Sequence, residues 1–303
     1  MIKNETPSFT GVFAAAITPL RSDFSPDLGV LPAFLGFLAQ RGCHGALLLG
    51  TTGEGTSFSP EQRKKVYHAA LEVRQEHPEF CLLAGTGTPS LDETSALTRS
   101  AFDLGMDGVV VLPPYYYRKA SDDGLFAWYH EVIHQAVPAD GAFFGYHFPG
   151  MSGVPLSVDL LARLKDAFFN QFIGIKDSSG DPAFAEQLGA RFGQDLLVFT
   201  GNDSLFTLAL QSKAAGCITA LANLISPDLR RIWDSFQSGK PDLKAQDKVD
   251  SVRAILERYP PAPPFLKALL ARDFGFPRWP VCPPLLPLPA EMEELIASQQ
   301  FLA

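Results

Sequence analysis

The sequence contains little cysteine, and the few cysteines are scattered. Cys43, Cys81, Cys217 and Cys282 stand far apart, without the short spacings that place thiolates around a metal. Cys81 and Cys217 lie in apolar segments, which is typical of small core residues rather than of reactive thiols. The cysteines therefore predict no metal site.

Long hydrophobic runs, a signal-peptide pattern and an excess of basic residues are also missing. No apolar run is long enough to span a bilayer, and residues 1–10 lack the basic-then-apolar order of a secretory signal. The formal net charge is -8, and no basic stripe suited to nucleic acid offsets it. These absences predict a cytoplasmic protein that binds neither membranes nor nucleic acid.

What the sequence does contain is a series of eight short apolar segments with helical patterns between them. The segments are residues 12–17, 45–49, 81–84, 108–112, 142–146, 172–176, 196–200 and 216–219. Their alternation with helices predicts an α/β protein, a (β/α)8 TIM barrel. An open doubly wound sheet is the main alternative, but no G-x-G-x-x-G follows the first segment.

Helix-start signals support this alternation. Ser59-Pro60-Glu61-Gln62 has the pattern of a capping box with proline at the first helical position. Asp181-Pro182 and Ser226-Pro227 repeat the order of a capping residue followed by proline. Each signal precedes a predicted helix.

The chain continues well beyond the last apolar segment. Residues 243–258 and 264–272 have helical patterns, and the proline-rich residues 276–289 are predicted to run over the surface. We predict that residues 1–225 form the barrel. Residues 226–303 are predicted to form its closing helix and a C-terminal helical extension, packed with the barrel as one unit.

A lysine ends the sixth apolar segment. Lys176 follows Phe172-Ile173-Gly174-Ile175 and precedes the polar residues 177–180. In a barrel this is the strand end that carries functional groups. Burial favours a neutral amine, which can attack a carbonyl and form a Schiff base. The alternative is a strand-end lysine whose amine reaches solvent or pairs with Asp177.

Other polar groups follow neighbouring segments, and each has a structural alternative. The glycine-rich residues 50–55 include Thr51 and Thr52, which suit a carboxylate site and a proton relay but also suit a plain turn. Glu54 in this turn is predicted to be a structural hydrogen-bond partner. Tyr146 suits a proton shuttle or the edge of a core, and the tyrosines at 115–117 more often form an interface.

Taken together, six segments in sequence order resemble the dihydrodipicolinate synthase/N-acetylneuraminate lyase family. They are Gly50-Thr51-Thr52-Gly53-Glu54, Pro114-Tyr115-Tyr116, Tyr146-x-x-Pro149, Gly174-Ile175-Lys176-Asp177, Gly201-Asn202-Asp203 and Gly216-Cys217-Ile218-Thr219. The resemblance covers nearly the whole chain, and residues 283–288 are a further match. It implies a (β/α)8 barrel with a C-terminal helical extension, a homotetramer, and no metal or other cofactor.

The resemblance also implies a class I lyase or aldolase. Lys176 would form the imine with pyruvate or another 2-oxo acid, and Tyr146 would relay protons. Thr51 and Thr52 would bind the carboxylate of the 2-oxo acid. Thr52 would also join the relay, which Tyr116 of a neighbouring subunit would complete. The substrates implied are a small 2-oxo acid and an aldehyde.

The resemblance further places the backbone carbonyls of Gly201 and Ile218 in the pocket.

The sequence departs from the family after the motif proline, Pro149. The synthase branch has an arginine two residues after this proline, where this sequence has Met151, which donates no hydrogen bond. We therefore expect a lyase or aldolase of a 2-oxo-3-deoxy sugar acid or similar compound. The alternatives are a 4-hydroxy-tetrahydrodipicolinate synthase, which condenses pyruvate with aspartate semialdehyde, and a non-catalytic 2-oxo acid binding protein. Small polar residues at strand ends that suit a hydroxylated substrate are Ser178, Ser179, Asn202, Asp203 and Thr219. Loop solvation and helix capping are the alternative roles for these side chains.

Overall fold

The computed structural model describes residues 9–297 and shows a closed barrel of eight parallel strands. The strands are β1 Gly11–Ala15, β2 Gly45–Leu48, β3 Cys81–Gly85, β4 Gly108–Val111, β5 Ala142–His147, β6 Phe172–Asp177, β7 Leu197–Thr200 and β8 Gly216–Thr219. They follow one another in sequence order, and β8 pairs with β1 to close the ring. All eight predicted segments are strands, so the predicted (β/α)8 fold is confirmed.

Helices connect the strands and continue beyond the barrel. They are α1 Leu31–Gln40, α2 Pro60–Ala70, α3 Leu91–Leu104, α4 Asp122–Ala136, α5 Pro149–Ser152, α6 Val158–Ala167, α7 Pro182–Phe192, α8 Phe206–Gln211, α9 Ala222–Gln237, α10 Leu243–Leu256, α11 Ala262–Phe274 and α12 Ala290–Ala297. None of the helices in residues 9–297 is long and apolar enough to cross a membrane.

The helix-start signals act as predicted in two of three places. Ser59 and Gln62 form the reciprocal capping box of α2. At the start of α7, the Asp181 side chain accepts a hydrogen bond from Ala183 N–H. Ser226 instead lies inside α9, just after a kink at Ile225 whose backbone is not helical. The third signal therefore marks the second segment of a kinked helix.

Apolar side chains form two cores that the barrel wall separates. The inner cluster fills the barrel with large side chains such as Phe13, Leu47, Phe144 and Phe199. The larger outer cluster packs the helices against the outside of the strands. Because successive strand residues point to opposite faces, each strand contributes to both cores.

One strand breaks this alternation. Phe143 pairs with Phe172 while Phe144 pairs with Gly174, so β6 carries one extra residue, Ile173. Phe172 and Ile175, three positions apart, consequently both belong to the outer cluster. A side chain at Gly174 would collide with the Phe144 ring, so only glycine fits there. Beyond the bulge, Lys176 pairs with Tyr146 of β5 and Phe199 of β7, which both belong to the inner cluster.

The part of the chain after β8 packs closely on the barrel. Within α9, the Asn223 side chain accepts a hydrogen bond from Ile17 N–H and donates to the Ala15 carbonyl, which ties the helix to the end of β1. Residues 276–289 form neither helix nor strand. Their predicted surface course is wrong for Trp279 and Val281, which are buried.

The predicted division into two parts stays a prediction. The boundary after residue 225 falls at the kink of α9, and the helix continues on both sides of it. Residues 1–8 and 298–303, which the predicted parts include, lie outside the described residues.

Candidate active site

Lys176 lies inside the barrel near the carboxyl end of β6. The bulge in β6 turns its side chain inward, where only 3% of the residue is exposed. Its Nζ lies 4.3 Å from the centroid of the Tyr146 ring on the neighbouring strand β5. Within residues 9–297 this amine forms no ion pair and no hydrogen bond, and the Asp177 carboxylate instead accepts a hydrogen bond from Ser179 N–H. The alternative in which Lys176 pairs with Asp177 is therefore not what the fold shows.

Tyr146 connects this amine to the turn after β2. Its hydroxyl group lies 3.3 Å from Thr51 Oγ1, at hydrogen-bond distance, and 4% of the residue is exposed. Thr52 is also buried, but its hydroxyl makes no side-chain hydrogen bond in the described part of the chain. The geometry thus brings Lys176, Tyr146 and Thr51 together. It favours Thr51 as the hydroxyl next to the phenol, and the relay role expected for Thr52 stays a prediction.

The turn that carries these threonines is held in an unusual backbone conformation. Leu49 and Glu54, on either side of them, both have a φ of 55°, which is uncommon for residues other than glycine. Thr18 Oγ1 donates a hydrogen bond to the Gly53 carbonyl, at 2.6 Å. Strained conformations of this kind persist only where the surrounding structure holds them, and they cluster at functional sites.

Both carboxylate oxygens of Glu54 are bound by groups from the part of the chain that follows β8. Its Oε1 lies 2.5 Å from Lys267 Nζ of α11, and its Oε2 accepts a hydrogen bond from Cys282 N–H at 2.7 Å. Both charged side chains are almost fully buried, with 0% and 1% exposure. Burial lowers the pKa of Lys267, and the Glu54 carboxylate opposes that shift. Glu54 is therefore a structural partner, as its sequence context predicts.

Sequence reasoning missed Lys267 as the partner of this carboxylate. Lys267 interrupts an apolar stretch, Phe265-Leu266-Lys267-Ala268-Leu269-Leu270, and that isolated charge was the available signal. The partner itself is 213 positions away, so no local pattern identifies it.

Tyr116 lies apart from these residues in the single chain. It is 77% exposed in the loop after β4, where its ring contacts Tyr117 edge to face at 5.3 Å between centroids. Such an exposed aromatic pair is typical of a surface that another chain covers. The relay role of Tyr116 in a neighbouring subunit stays a prediction.

The two backbone positions expected in the pocket lie on neighbouring strands. Gly201 directly follows β7, and its N–H donates to the Asp177 carbonyl at 2.6 Å, one residue beyond Lys176. Ile218 is fully buried in β8, in the inner cluster. Their roles as carbonyl contacts to substrate stay predictions.

The five small polar residues divide into two groups. Ser178, Ser179 and Asn202 are half-buried at the ends of β6 and β7. Asp203 and Thr219 have no exposed surface, and Thr219 pairs with Ala14, a residue of the outer cluster. Thr219 therefore points away from the barrel interior, and Asp203, which forms an ion pair with Arg253 of α10, is a structural group.

Two titratable groups behind the strand ends have shifted pKa values. Burial lowers the pKa of His147 to about 4, and its Nδ1 accepts a hydrogen bond from Leu156 N–H at 2.9 Å. The imidazole also stacks on Phe184, at 4.5 Å between centroids. Burial raises the pKa of Asp177 to about 6, against the opposing hydrogen bonds from Ser179. His147 is therefore a neutral, structural imidazole at neutral pH.

An amine and a phenol that meet at the carboxyl ends of adjacent strands lie where (β/α)8-barrel enzymes carry their active sites. The sequence model of the dihydrodipicolinate synthetase family matches residues 8–299. The chain belongs to this family and is a carbon–carbon lyase. The family and the enzyme class predicted from the sequence are confirmed.

Individual relatives agree with this assignment over almost their full lengths. An uncharacterized DapA-like lyase of Chloroflexus aurantiacus is 39% identical over 283 residues, which cover 93% of this chain and 92% of the relative. A 4-hydroxy-tetrahydrodipicolinate synthase of Rhodospirillum centenum is 32% identical, with coverages of 91% and 93%. YagE, a prophage protein of the dihydrodipicolinic acid synthase family from E. coli K12 solved in complex with pyruvate, superimposes with a TM-score of 0.90. It is 24% identical, with coverages of 97% and 98%, and supports the fold alone.

Proposed function

We propose that this lyase works through an imine between Lys176 and pyruvate or another 2-oxo acid. The observation that carries the proposal is the buried amine of Lys176 beside the Tyr146 ring, with the Tyr146 hydroxyl within reach of Thr51. A structural lysine at a strand end has no need of a buried phenol and hydroxyl next to it. A sensor that only binds 2-oxo acids has no need of them either, which disfavours the non-catalytic alternative.

The proposed reaction follows from the chemistry of an imine. Lys176 Nζ attacks C2 of the 2-oxo acid, water leaves, and the protonated imine becomes an electron sink. For cleavage of a 2-oxo-3-deoxy acid, Tyr146, left as a phenolate after giving its proton to the departing water, takes the proton of the C4 hydroxyl as the C3–C4 bond breaks. The electron pair of that bond moves into the imine to give an enamine, and the aldehyde leaves. Protonation of C3 and hydrolysis of the imine then release pyruvate and restore the lysine.

The turn after β2 supplies the other contacts in this proposal. The Thr51 hydroxyl passes the proton to and from Tyr146, because it is the hydroxyl at hydrogen-bond distance from the phenol. Thr52 and the backbone N–H groups of the turn bind the substrate carboxylate. The Gly201 and Ile218 carbonyls line the pocket beside the amine.

For the second substrate we propose the aldehyde of a sugar-acid lyase reaction. Met151 stands 56% exposed in α5, the one-turn helix directly after β5, and offers no cation to a second carboxylate. Half-buried hydroxyl and amide groups at Ser178, Ser179 and Asn202 suit a hydroxylated chain. A 4-hydroxy-tetrahydrodipicolinate synthase remains the second candidate, because the Rhodospirillum centenum relative bears that name.

The exposed pair of Tyr116 and Tyr117 supports the proposal that the chain works as a homo-oligomer, with a tetramer as the expected state. In it, Tyr116 completes the proton relay of a neighbouring subunit. Cytoplasmic location stays a prediction from the sequence.

Borohydride trapping tests the imine. Wild-type protein reduced in the presence of pyruvate should gain one pyruvyl group on Lys176, as peptide mass mapping would show. Lys176→Arg keeps the charge but should take up no label and show no turnover. An unlabelled wild-type protein, or a label that persists in Lys176→Arg, contradicts the proposal.

A substrate panel coupled to pyruvate detection tests the reaction class. We expect 2-oxo-3-deoxy sugar acids to give a higher kcat/KM for pyruvate release than a 4-hydroxy-2-oxo acid that carries no further hydroxyl groups. In the opposite direction, condensation of pyruvate with aspartate semialdehyde should be slow. If aspartate semialdehyde is the far better partner, the synthase candidate replaces the sugar-acid lyase.

A further inference from the structure

The segment after β7, residues 201–207, is attached to the C-terminal extension through buried polar contacts. Asp203, two residues after Gly201, has no exposed surface, and its Oδ2 lies 3.0 Å from Arg253 Nη1 of α10. Burial raises the pKa of Asp203, and the Arg253 guanidinium opposes that shift. The Arg253 guanidinium therefore compensates the buried charge of this carboxylate.

A second side chain of α10 holds the same segment through its backbone. Gln246 Nε2 donates to the Asp203 carbonyl at 3.1 Å, and Gln246 Oε1 accepts from Thr207 N–H and Thr207 Oγ1 at 3.0 and 2.7 Å. Gln246 is itself buried, with 8% exposure. Arg253 and Gln246 thus fix residues 203–207 from one helix.

The segment 201–207 also contacts the end of β6, which carries Lys176. Gly201 N–H donates to the Asp177 carbonyl, and the Ser178 hydroxyl lies so close to Gly201 that a side chain there would collide with it. Asp177 is the residue next to Lys176, and β6 pairs with β7 up to this point. A displacement of the segment 201–207 consequently moves the backbone on which the amine stands.

We propose that Arg253 and Gln246 are positioning residues that hold Lys176 at attacking distance from C2 of the bound 2-oxo acid. This inference rests on the proposed imine chemistry. In it, α10 acts in the reaction as well as covering the barrel. We call the contacts of Arg253 and Gln246 with residues 203–207 the brace. A misplacement of about 1 Å far from the chemistry can cost on the order of a hundredfold in rate.

The rate of borohydride trapping at saturating pyruvate, together with kcat, tests the brace on the full-length protein. Arg253→Ala should slow both by about tenfold or more. Arg253→Lys keeps the cation and should restore at least half of the wild-type rate. Gln246→Ala keeps the ion pair and should still slow both rates severalfold, which decides the matter if Arg253→Ala does not fold.

Two controls separate positioning from loss of stability. Leu97→Ala removes buried volume on α3 and should lower the melting temperature while leaving the trapping rate within about twofold of wild type. Arg272→Ala removes a cation of α11 that pairs with the adjacent Asp273, and it should change neither.

The outcomes distinguish the brace from the imine. If the wild type is trapped but folded Arg253→Ala and Gln246→Ala are trapped within about twofold of the wild-type rate, the positioning role is wrong and the imine stands. If Leu97→Ala slows trapping as much as Arg253→Ala, general destabilisation explains the loss and the brace is wrong. A wild type that is never trapped overturns both proposals.

Discussion

Lys267→Met removes the cation that neutralises Glu54 in the turn after β2. The two charged side chains have 0% and 1% exposure, and their charged atoms lie 2.5 Å apart. Methionine fills a similar volume but leaves the carboxylate with one remaining partner, the Cys282 N–H at 2.7 Å. Breaking a buried pair from one side typically costs about 3–5 kcal/mol, because the other charge stays buried and uncompensated. We expect a loss of that size in the free energy of unfolding.

Urea unfolding at a fixed protein concentration measures this loss. The matched control is Lys64→Met, which breaks the exposed Lys64–Glu61 pair, with 2.8 Å between charged atoms and side-chain exposures of 37% and 75%. Exposed pairs contribute about 0.2–1 kcal/mol, so the control should unfold almost as the wild type does.

A double variant separates the lost attraction from the buried charge. Lys267→Met combined with Glu54→Gln removes both charges, while the glutamine oxygen still accepts the Cys282 N–H. The double variant should recover at least half of the stability lost in Lys267→Met, because buried ion pairs replaced on both sides are often close to neutral. A Lys267→Met loss no larger than that of Lys64→Met, or a double variant less stable than the single one, would refute the reasoning.

Three further predictions concern the site and its surroundings. Because burial lowers the pKa of His147 from 6.5 to about 4, its contribution to the free energy of unfolding should fall by about 2–3 kcal/mol as pH falls through this window. The measurement is the difference between wild type and His147→Asn, because Asp177, whose pKa is raised to about 6, titrates in the same window with the opposite sign. His147→Asn should remove that part of the pH profile, and an unchanged profile would contradict the buried neutral imidazole. Thr51→Val should lower kcat about a hundredfold, whereas Thr52→Val should mainly raise the KM for the 2-oxo acid; the reverse result would favour Thr52 as the relay. Inactive Lys176→Ala and weakened Tyr116→Phe chains should regain activity when refolded together, because a Lys176→Ala subunit lends its intact Tyr116 to a neighbour. A mixture no more active than its components would place Tyr116 outside the partner's site.

The strands could be predicted from the sequence because each one is short, apolar and bounded by turn residues. The predicted bounds lie within one residue of the observed strands, except that the first predicted segment ends at residue 17 and β1 ends at Ala15. Because all eight strands are parallel, their carboxyl ends lie on the same side of the barrel. The polar residues at these ends, Lys176, Tyr146 and Thr51, therefore lie close together. Local pattern and chain order were sufficient for this part.

Long-range partners and backbone irregularities could not be predicted in the same way. The pairing of Glu54 with Lys267, and of Asp203 with Arg253, joins side chains from distant parts of the chain that no short motif connects. The choice between Thr51 and Thr52 depends on which hydroxyl the left-handed turn directs at the phenol. These features follow from packing in three dimensions rather than from spacing.

The extra residue in β6 makes the direction of the amine depend on strand length. Strict alternation from Phe172 would send Lys176 outward into the helical layer, and the added Ile173 reverses that parity. Shortening β6 by one residue would therefore leave the amino-acid type intact and still remove the nucleophile from the cavity. A redesign of this barrel would therefore have to keep the number of residues in β6 before Lys176 as well as the lysine itself.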